Sequence, residues 1–271
     1  MLVLLGFVGA KLCLADTCPE KFGGLLAPEN RIELKVLQDL HADLFKEQEA
    51  ASPELVKVWN ETLLRELDAM PLVVRNPKRI NGLTEVQLTE LFEKVKHHPV
   101  ADNDFYSKYD PDNVGIGFCF GRAITAHLEA LLMGVAKEDI KKLWIVGHMQ
   151  EDKVAWAHHV TTMVRGADKK WYAIDPNYSA PMPIAEWYRL LQMRYPKEKL
   201  QLFATNAKRW SPGGGVNADA IAPATIHDPF YHHFFEDLMQ ASRDEANSVI
   251  EQRRELHSVC SGNSCTVPIQ P

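Results

Sequence analysis

Three separated segments carry residues whose types and order suit acyl transfer through a thiol. The first is Gly115-Ile-Gly-Phe-Cys119-Phe-Gly-Arg-Ala, the second Ala157-His-His-Val160, and the third Tyr172-Ala-Ile-Asp175-Pro. A thiol nucleophile, an imidazole base and a carboxylate that orients the base are the minimum set for chemistry through a thioester. The order cysteine, histidine, aspartate, with gaps of 40 and then 16 residues, suits a helix followed by a β-hairpin.

Cys119 opens a segment with helical spacing of apolar residues. A helix N-terminus carries about half a positive charge, which favours a thiolate at that position. Gly115, Gly117 and Gly121 let other groups approach the backbone closely, and the N–H groups near Cys119 are suited to hold an oxyanion. A buried cysteine is, however, more often a small apolar side chain, so this segment alone leaves both interpretations open.

The histidine segment and the aspartate segment favour the catalytic interpretation. Side chains alternate along a strand, so only one of His158 and His159 shares a face with Val160, and one of the two should meet the helix of Cys119. Asp175 ends the next predicted strand, where antiparallel pairing would let it accept the Nδ1–H of the histidine. Adjacent strand residues point apart and cannot chelate one ion, so we predict no metal.

Periodicity and capping signals predict the elements that position these residues. Apolar spacing predicts helices, a capping box starts the third of them, and apolar or alternating runs predict strands. The expected fold class is therefore α+β, with a helical N-terminal segment and a long C-terminal helix. The predicted helices span residues 32–47, 53–70, 84–98, 119–134, 181–193 and 228–257, and the predicted strands 143–146, 154–164 and 171–174.

Composition narrows the class of protein and its compartment. The chain has 271 residues, of which 46% are hydrophobic, and a net charge of −6 without a basic stripe, so it can bury a core and is not expected to bind nucleic acid. Residues 1–15 form an apolar run that predicts a signal peptide and a secreted or periplasmic protein. Beyond that run we predict no membrane-spanning segment. In an oxidising compartment Cys260 and Cys265 could close a disulfide loop, or Cys18 could bond to one of them.

The three motifs together resemble the bacterial protein-glutaminase (protein-glutamine deamidase) family, which has a transglutaminase-like, papain-type fold. The residues that carry the resemblance are Cys119-Phe-Gly-Arg-Ala, Val154-Ala-Trp-Ala-His-His159-Val and Ile174-Asp175-Pro. It extends from about Thr84 to Pro181. It implies Cys119 as nucleophile, His159 as base and Asp175 as orienter.

The resemblance also implies a substrate and a domain arrangement. The reaction would hydrolyse glutamine side-chain amides in proteins or peptides, without a cofactor, and Trp156, Gly117 and Phe118 would contact the substrate. The expected divisions are a signal peptide at 1–15, a helical pro-region or accessory domain at 16–82, a catalytic core at 83–210 and a C-terminal extension at 211–271.

Other functions share the same three residues. A transglutaminase would pass the acyl group to an amine, a cysteine peptidase would cleave the main chain, and an arylamine N-acetyltransferase would carry an acetyl group. A protein that binds partners on an inactive transglutaminase-like scaffold is the alternative outside enzymes. The sequence leaves the oligomeric state open.

Overall fold

The computed structural model describes residues 45–71, 79–102, 108–110, 118–151, 154–209 and 233–260. Their mixture of helices and an antiparallel sheet confirms the predicted α+β class. The helices are α1 (Pro53–Ala69), α2 (Glu85–Lys96), α3 (Cys119–Leu132), α4 (Ile184–Arg194) and α5 (Phe234–Cys260). The strands are β1 (Ile140–Glu151), β2 (Val154–Arg165), β3 (Trp171–Ile174), β4 (Met182–Pro183) and β5 (Gln201–Asn206).

Local signals in the sequence start two of the helices as predicted. Ser52 caps α1 by accepting a hydrogen bond from the Leu55 N–H at 3.2 Å, and Pro53 occupies its first turn. The capping box predicted before α2 is present, since Thr84 and Gln87 bond reciprocally to each other's backbone N–H. These two helix starts are therefore confirmed in position and in mechanism.

The sheet has the strand order β4-β3-β2-β1-β5 and carries helices on both faces. On one face α3 packs over the side chains of Trp144 and Val160. On the other face Leu67 from α1 and Trp187 from α4 share an apolar cluster with Leu143 of β1. Helix α1 therefore belongs to the same apolar core as the sheet.

Helix α1 is also held by polar contacts with the sheet and with α4. The buried side chain of Asn60 donates to the carbonyl of Leu200 at 2.7 Å and accepts from the N–H of Leu202 at 2.7 Å. Its amide also donates to the Tyr188 hydroxyl at 2.6 Å. Arg165 of β2 donates to the backbone carbonyl of Leu67 at 3.1 Å.

The sheet is larger than the sequence predicts. Strand β1 covers Ile140–Glu151 rather than residues 143–146. Its start is not visible in the sequence because Lys142 interrupts the apolar pattern, although this lysine is itself buried. Strands β4 and β5 were not predicted, since one is two residues long and the other alternates only weakly. Helix α4 begins at Ile184 rather than at 181, because Met182 and Pro183 pair with β3.

Helix α5 packs against the helix that begins with Cys119. The rings of Phe234 and Phe235 and the side chain of Leu238 lie in the apolar cluster under α3. A polar cluster links three helices, with the Lys94 ammonium 3.1 Å from a carboxyl oxygen of Glu129 and 2.7 Å from one of Glu245. None of the described helices is both long enough and apolar enough to span a membrane.

Several predictions concern residues beyond the described part of the chain. These are the signal peptide, most of the helix at 32–47, the start of the helix predicted at 228, Gly117, and two of the cysteines proposed for disulfides. Cys260 is the last residue of α5.

Candidate active site

Cys119 is the first residue of α3, as the sequence predicts, and its thiol is free and buried with 7% exposure. No side chain caps this helix at Phe118. The first N–H groups of a helix lack partners within it, and the helix dipole adds positive potential at the same place. The sulfur therefore lies where a negative charge is favoured.

The imidazole of His159 joins the thiol to a carboxylate. Its Nε2–H donates to Asp175 Oδ2 at 2.8 Å, and the Cys119 thiol is near enough to the ring to help raise the pKa of His159. The prediction that Asp175 accepts from Nδ1 is therefore wrong. Because Nε2 is taken by the carboxylate, Nδ1 is the ring nitrogen left to face the sulfur.

The histidine that contacts Cys119 does not follow from side-chain alternation. Helix α3 lies on the face of β2 that carries Val160 and Thr162, where the Thr162 hydroxyl donates to the Ala123 carbonyl. His158 belongs to the same face, and its ring centroid lies 5.8 Å from that of Phe120. The side chain of His159 points to the opposite face of β2. Pairing between β2 and β3 stops at Thr162, so β3 leaves the edge of β2 open beside His159.

Strand β1 is irregular beside the two histidines. Val146 pairs with His158 and Met149 pairs with Trp156, so two residues of β1, Gly147 among them, lie opposite one residue of β2. A Cβ atom at Gly147 would overlap the backbone carbonyl of Lys199, so the bulge requires glycine. A bulge increases local twist and redirects neighbouring side chains, and this one is next to the histidine pair.

The electrostatic surroundings of His159 and Asp175 favour the charged form of both residues. Burial alone would lower the pKa of His159, but the Asp175 carboxylate and the Cys119 sulfur raise it from 6.5 to about 10. Burial likewise opposes ionisation of Asp175, yet His159, Arg122 and Trp187 lower its pKa from 3.8 to about 2. Asp175 is therefore a carboxylate and His159 an imidazolium at neutral pH.

Two further residues bear on the carboxylate, and the sequence analysis assigned neither a role. Trp187 donates its indole N–H to Asp175 Oδ2 at 2.9 Å. Arg122 follows Cys119 by three residues in α3 and is buried. Burial lowers the pKa of Arg122 from 12.5 to about 10, although the nearby charge of Asp175 offsets part of this effect. Its spacing from Cys119 is a signal in the sequence, because residues three apart share a helix face. No such signal points to Trp187.

The residues predicted to contact substrate lie in different surroundings. Phe118 is 2% exposed, with its ring centroid 4.6 Å from that of Phe234, so its side chain belongs to the core. The half-buried side chain of Trp156 packs against the apolar cluster on the α1 and α4 face.

Comparisons with known proteins complete the description of the site. No protein-family model and no curated protein matches the chain. Among solved structures it is similar to protein-glutaminase from Chryseobacterium proteolyticum, at 18% identity over 48% of this chain and 75% of that one, with a TM-score of 0.37. It is also similar to a crystal structure of protein-glutaminase, at 18% identity over 49% of this chain and 79% of that one, with a TM-score of 0.38. A crystal structure of pro-protein-glutaminase matches at 20% identity over 58% of each chain, with a TM-score of 0.37.

Proposed function

We propose that this chain is a cysteine-dependent protein-glutamine deamidase with a transglutaminase-like, papain-type catalytic core. The observation that carries the proposal is the imidazole of His159, which is hydrogen-bonded to Asp175 at 2.8 Å and lies close enough to the Cys119 thiol for the sulfur to help raise its pKa. A thiol, a base and an orienting carboxylate held in one site can activate sulfur for attack on a carboxamide. The choice of a glutamine side chain as substrate is what the resemblance of these motifs to the protein-glutaminase family implies.

In the proposed mechanism the Cys119 thiolate attacks the carboxamide carbon of a glutamine side chain. The amide groups of the first turn of α3, which have no partner within the helix, stabilise the oxyanion. The His159 imidazolium gives its proton to the departing nitrogen, so the C–N bond breaks and ammonia leaves. A water molecule then gives a proton to His159 and attacks the thioester, the C–S bond breaks, and the thiolate and imidazolium are restored as glutamate and a proton leave.

The remaining divisions of the chain are part of the same proposal. We assign residues 83–210 to the catalytic core, 16–82 to a pro-region or accessory segment whose helix α1 packs into that core, 211–271 to a C-terminal extension, and 1–15 to a signal peptide of a secreted or periplasmic protein. We further propose that Trp156 and Gly117 contact the substrate.

The test is to incubate the purified protein with casein, with and without a primary amine. We expect ammonia release and conversion of glutamine to glutamate, identified by peptide mass, with no amine incorporated and no new chain termini. Incorporation of the amine would instead identify a transglutaminase, and new termini a peptidase. A protein that produces none of these changes would refute the proposal and favour a non-catalytic scaffold.

A further inference from the structure

We propose that Trp187 is a positioning residue that fixes the Asp175 carboxylate and the plane of the His159 ring. This inference rests on the proposed function, because it assigns Trp187 a part in the same reaction. Trp187 lies in α4 with 0% exposure, on the face of the sheet opposite α3. It therefore approaches the site from the side opposite the helix that carries the nucleophile.

Hydrogen bonds to both carboxylate oxygens hold Asp175 in one orientation. The indole N–H of Trp187, at 2.9 Å, and the Nε2–H of His159, at 2.8 Å, converge on Oδ2. The backbone N–H of Asn177 donates to Oδ1 at 3.1 Å. A buried carboxylate needs such donors to stay ionised, and removal of the indole donor would let the group turn away from the imidazole.

The ring of Trp187 also limits the motion of the imidazole. Its centroid lies 6.0 Å from that of His159, with an interplanar angle of 27°. A stacked neighbour of this size excludes water from the bond between His159 and Asp175 and restricts tilting of the imidazole. The indole thus contacts Asp175 through its N–H and His159 through its face.

The alternative is that Trp187 merely fills the core, and the chain offers a matched control for it. Trp171 lies in the same apolar cluster with 2% exposure. Its indole N–H has no hydrogen-bond partner among the described residues, and no described contact joins it to Asp175 or His159. Trp171→Phe therefore removes the same atoms from the same core without touching the site.

The experiment compares Trp187→Phe with Trp171→Phe by two readouts. The first is kcat and KM for ammonia release from casein. The second is the rate of Cys119 alkylation by iodoacetamide as a function of pH, which reports formation of the thiolate beside His159. Cys119, His159, Asp175, Arg122 and the buried Lys142, whose ammonium interacts with Cys119, are the ionisable groups of the described site that bear on this profile.

For Trp187→Phe we expect kcat to fall about tenfold with little change in KM, because a hydrogen bond to a charged group is lost. We also expect the alkylation midpoint to move to higher pH, because a displaced carboxylate stabilises the imidazolium less. Trp171→Phe should change neither quantity. Equal behaviour of the two variants, or a wild-type profile in Trp187→Phe, would overturn the inference.

A second variant covers the case in which Trp187→Phe does not fold. Benzothienylalanine at position 187 keeps the bicyclic ring and replaces the N–H with sulfur, so its volume is nearly that of tryptophan. The same shift in alkylation midpoint supports the inference, and a wild-type profile overturns it. If the wild-type protein releases no ammonia, the proposed function fails, while the alkylation profile still decides whether Trp187 positions the pair.

Discussion

Replacement of Asp175 by asparagine tests how the thiol is activated. The substitution keeps the size of the side chain and removes its charge. The charge of Asp175 is the main influence that raises the pKa of His159 to about 10 against the opposing effect of burial. Burial is the largest single influence on the pKa of His159 and lowers it, so without the charge of Asp175 this pKa should fall towards 6.5 or below.

The magnitude follows from the proton transfer between sulfur and imidazole. The ratio of the thiolate–imidazolium form to the neutral form changes tenfold for each unit in the pKa of His159. A fall from about 10 to 6.5 therefore reduces that ratio by roughly a thousandfold. Since the active form carries the reaction, we expect the rate of deamidation at neutral pH to fall by about two to three orders of magnitude but to stay measurable.

The assay is alkylation of Cys119 by iodoacetamide across pH, followed by mass spectrometry, beside ammonia release from casein. The alkylation midpoint should move to higher pH in Asp175→Asn. Asp68→Asn, which removes one exposed carboxylate from α1, is the matched control and should match the wild type. An unchanged midpoint in a folded Asp175→Asn protein would refute the argument that Asp175 controls the charge of His159.

Three other substitutions test the elements around the site. Gly121→Ala should lower the free energy of unfolding by about 1–3 kcal/mol in denaturant titrations, because its Cβ would overlap the buried ring of Phe234; no loss would contradict that packing. Asn60→Ala should cost about 2–4 kcal/mol, since it removes the side-chain partner of the buried Leu202 N–H and one of the two donors to the Leu200 carbonyl; a neutral effect would mean that α1 is not held there. Burial and Glu245 raise the pKa of Glu129 from 4.5 to about 8, so the native state holds a proton that the unfolded chain releases, and stability should fall as pH rises through this window. Glu129→Gln should flatten that decline, and an equal slope in both proteins would count against a protonated Glu129.

The elements that rest on local signals could be predicted from the sequence. Caps at Ser52 and Thr84 and the helical periodicity after Cys119 depend on neighbouring residues, so their positions were predictable. The length of β1 was not, because burial of Lys142 is decided by α3 and the adjacent strands. Tertiary packing also decides where β5 pairs, which the weak pattern of that segment does not reveal.

The candidate site, like the fold, is only partly predictable from the sequence. The three chemical residue types and their order are visible in the motifs, and the resemblance selects His159 over His158. Alternation alone would have favoured His158, since it shares a face with Val160 under α3. The nitrogen that faces Asp175 and the approach of Trp187 depend on how the end of β3 and helix α4 meet the open edge of β2, and no local pattern encodes that.

The most direct test of the account is ammonia release from casein by the wild-type protein and by Cys119→Ala, purified in parallel and shown to unfold at similar denaturant concentrations. If the sulfur of Cys119 forms the thioester, the wild type releases ammonia and Cys119→Ala releases none. Full activity in Cys119→Ala would contradict the central claim.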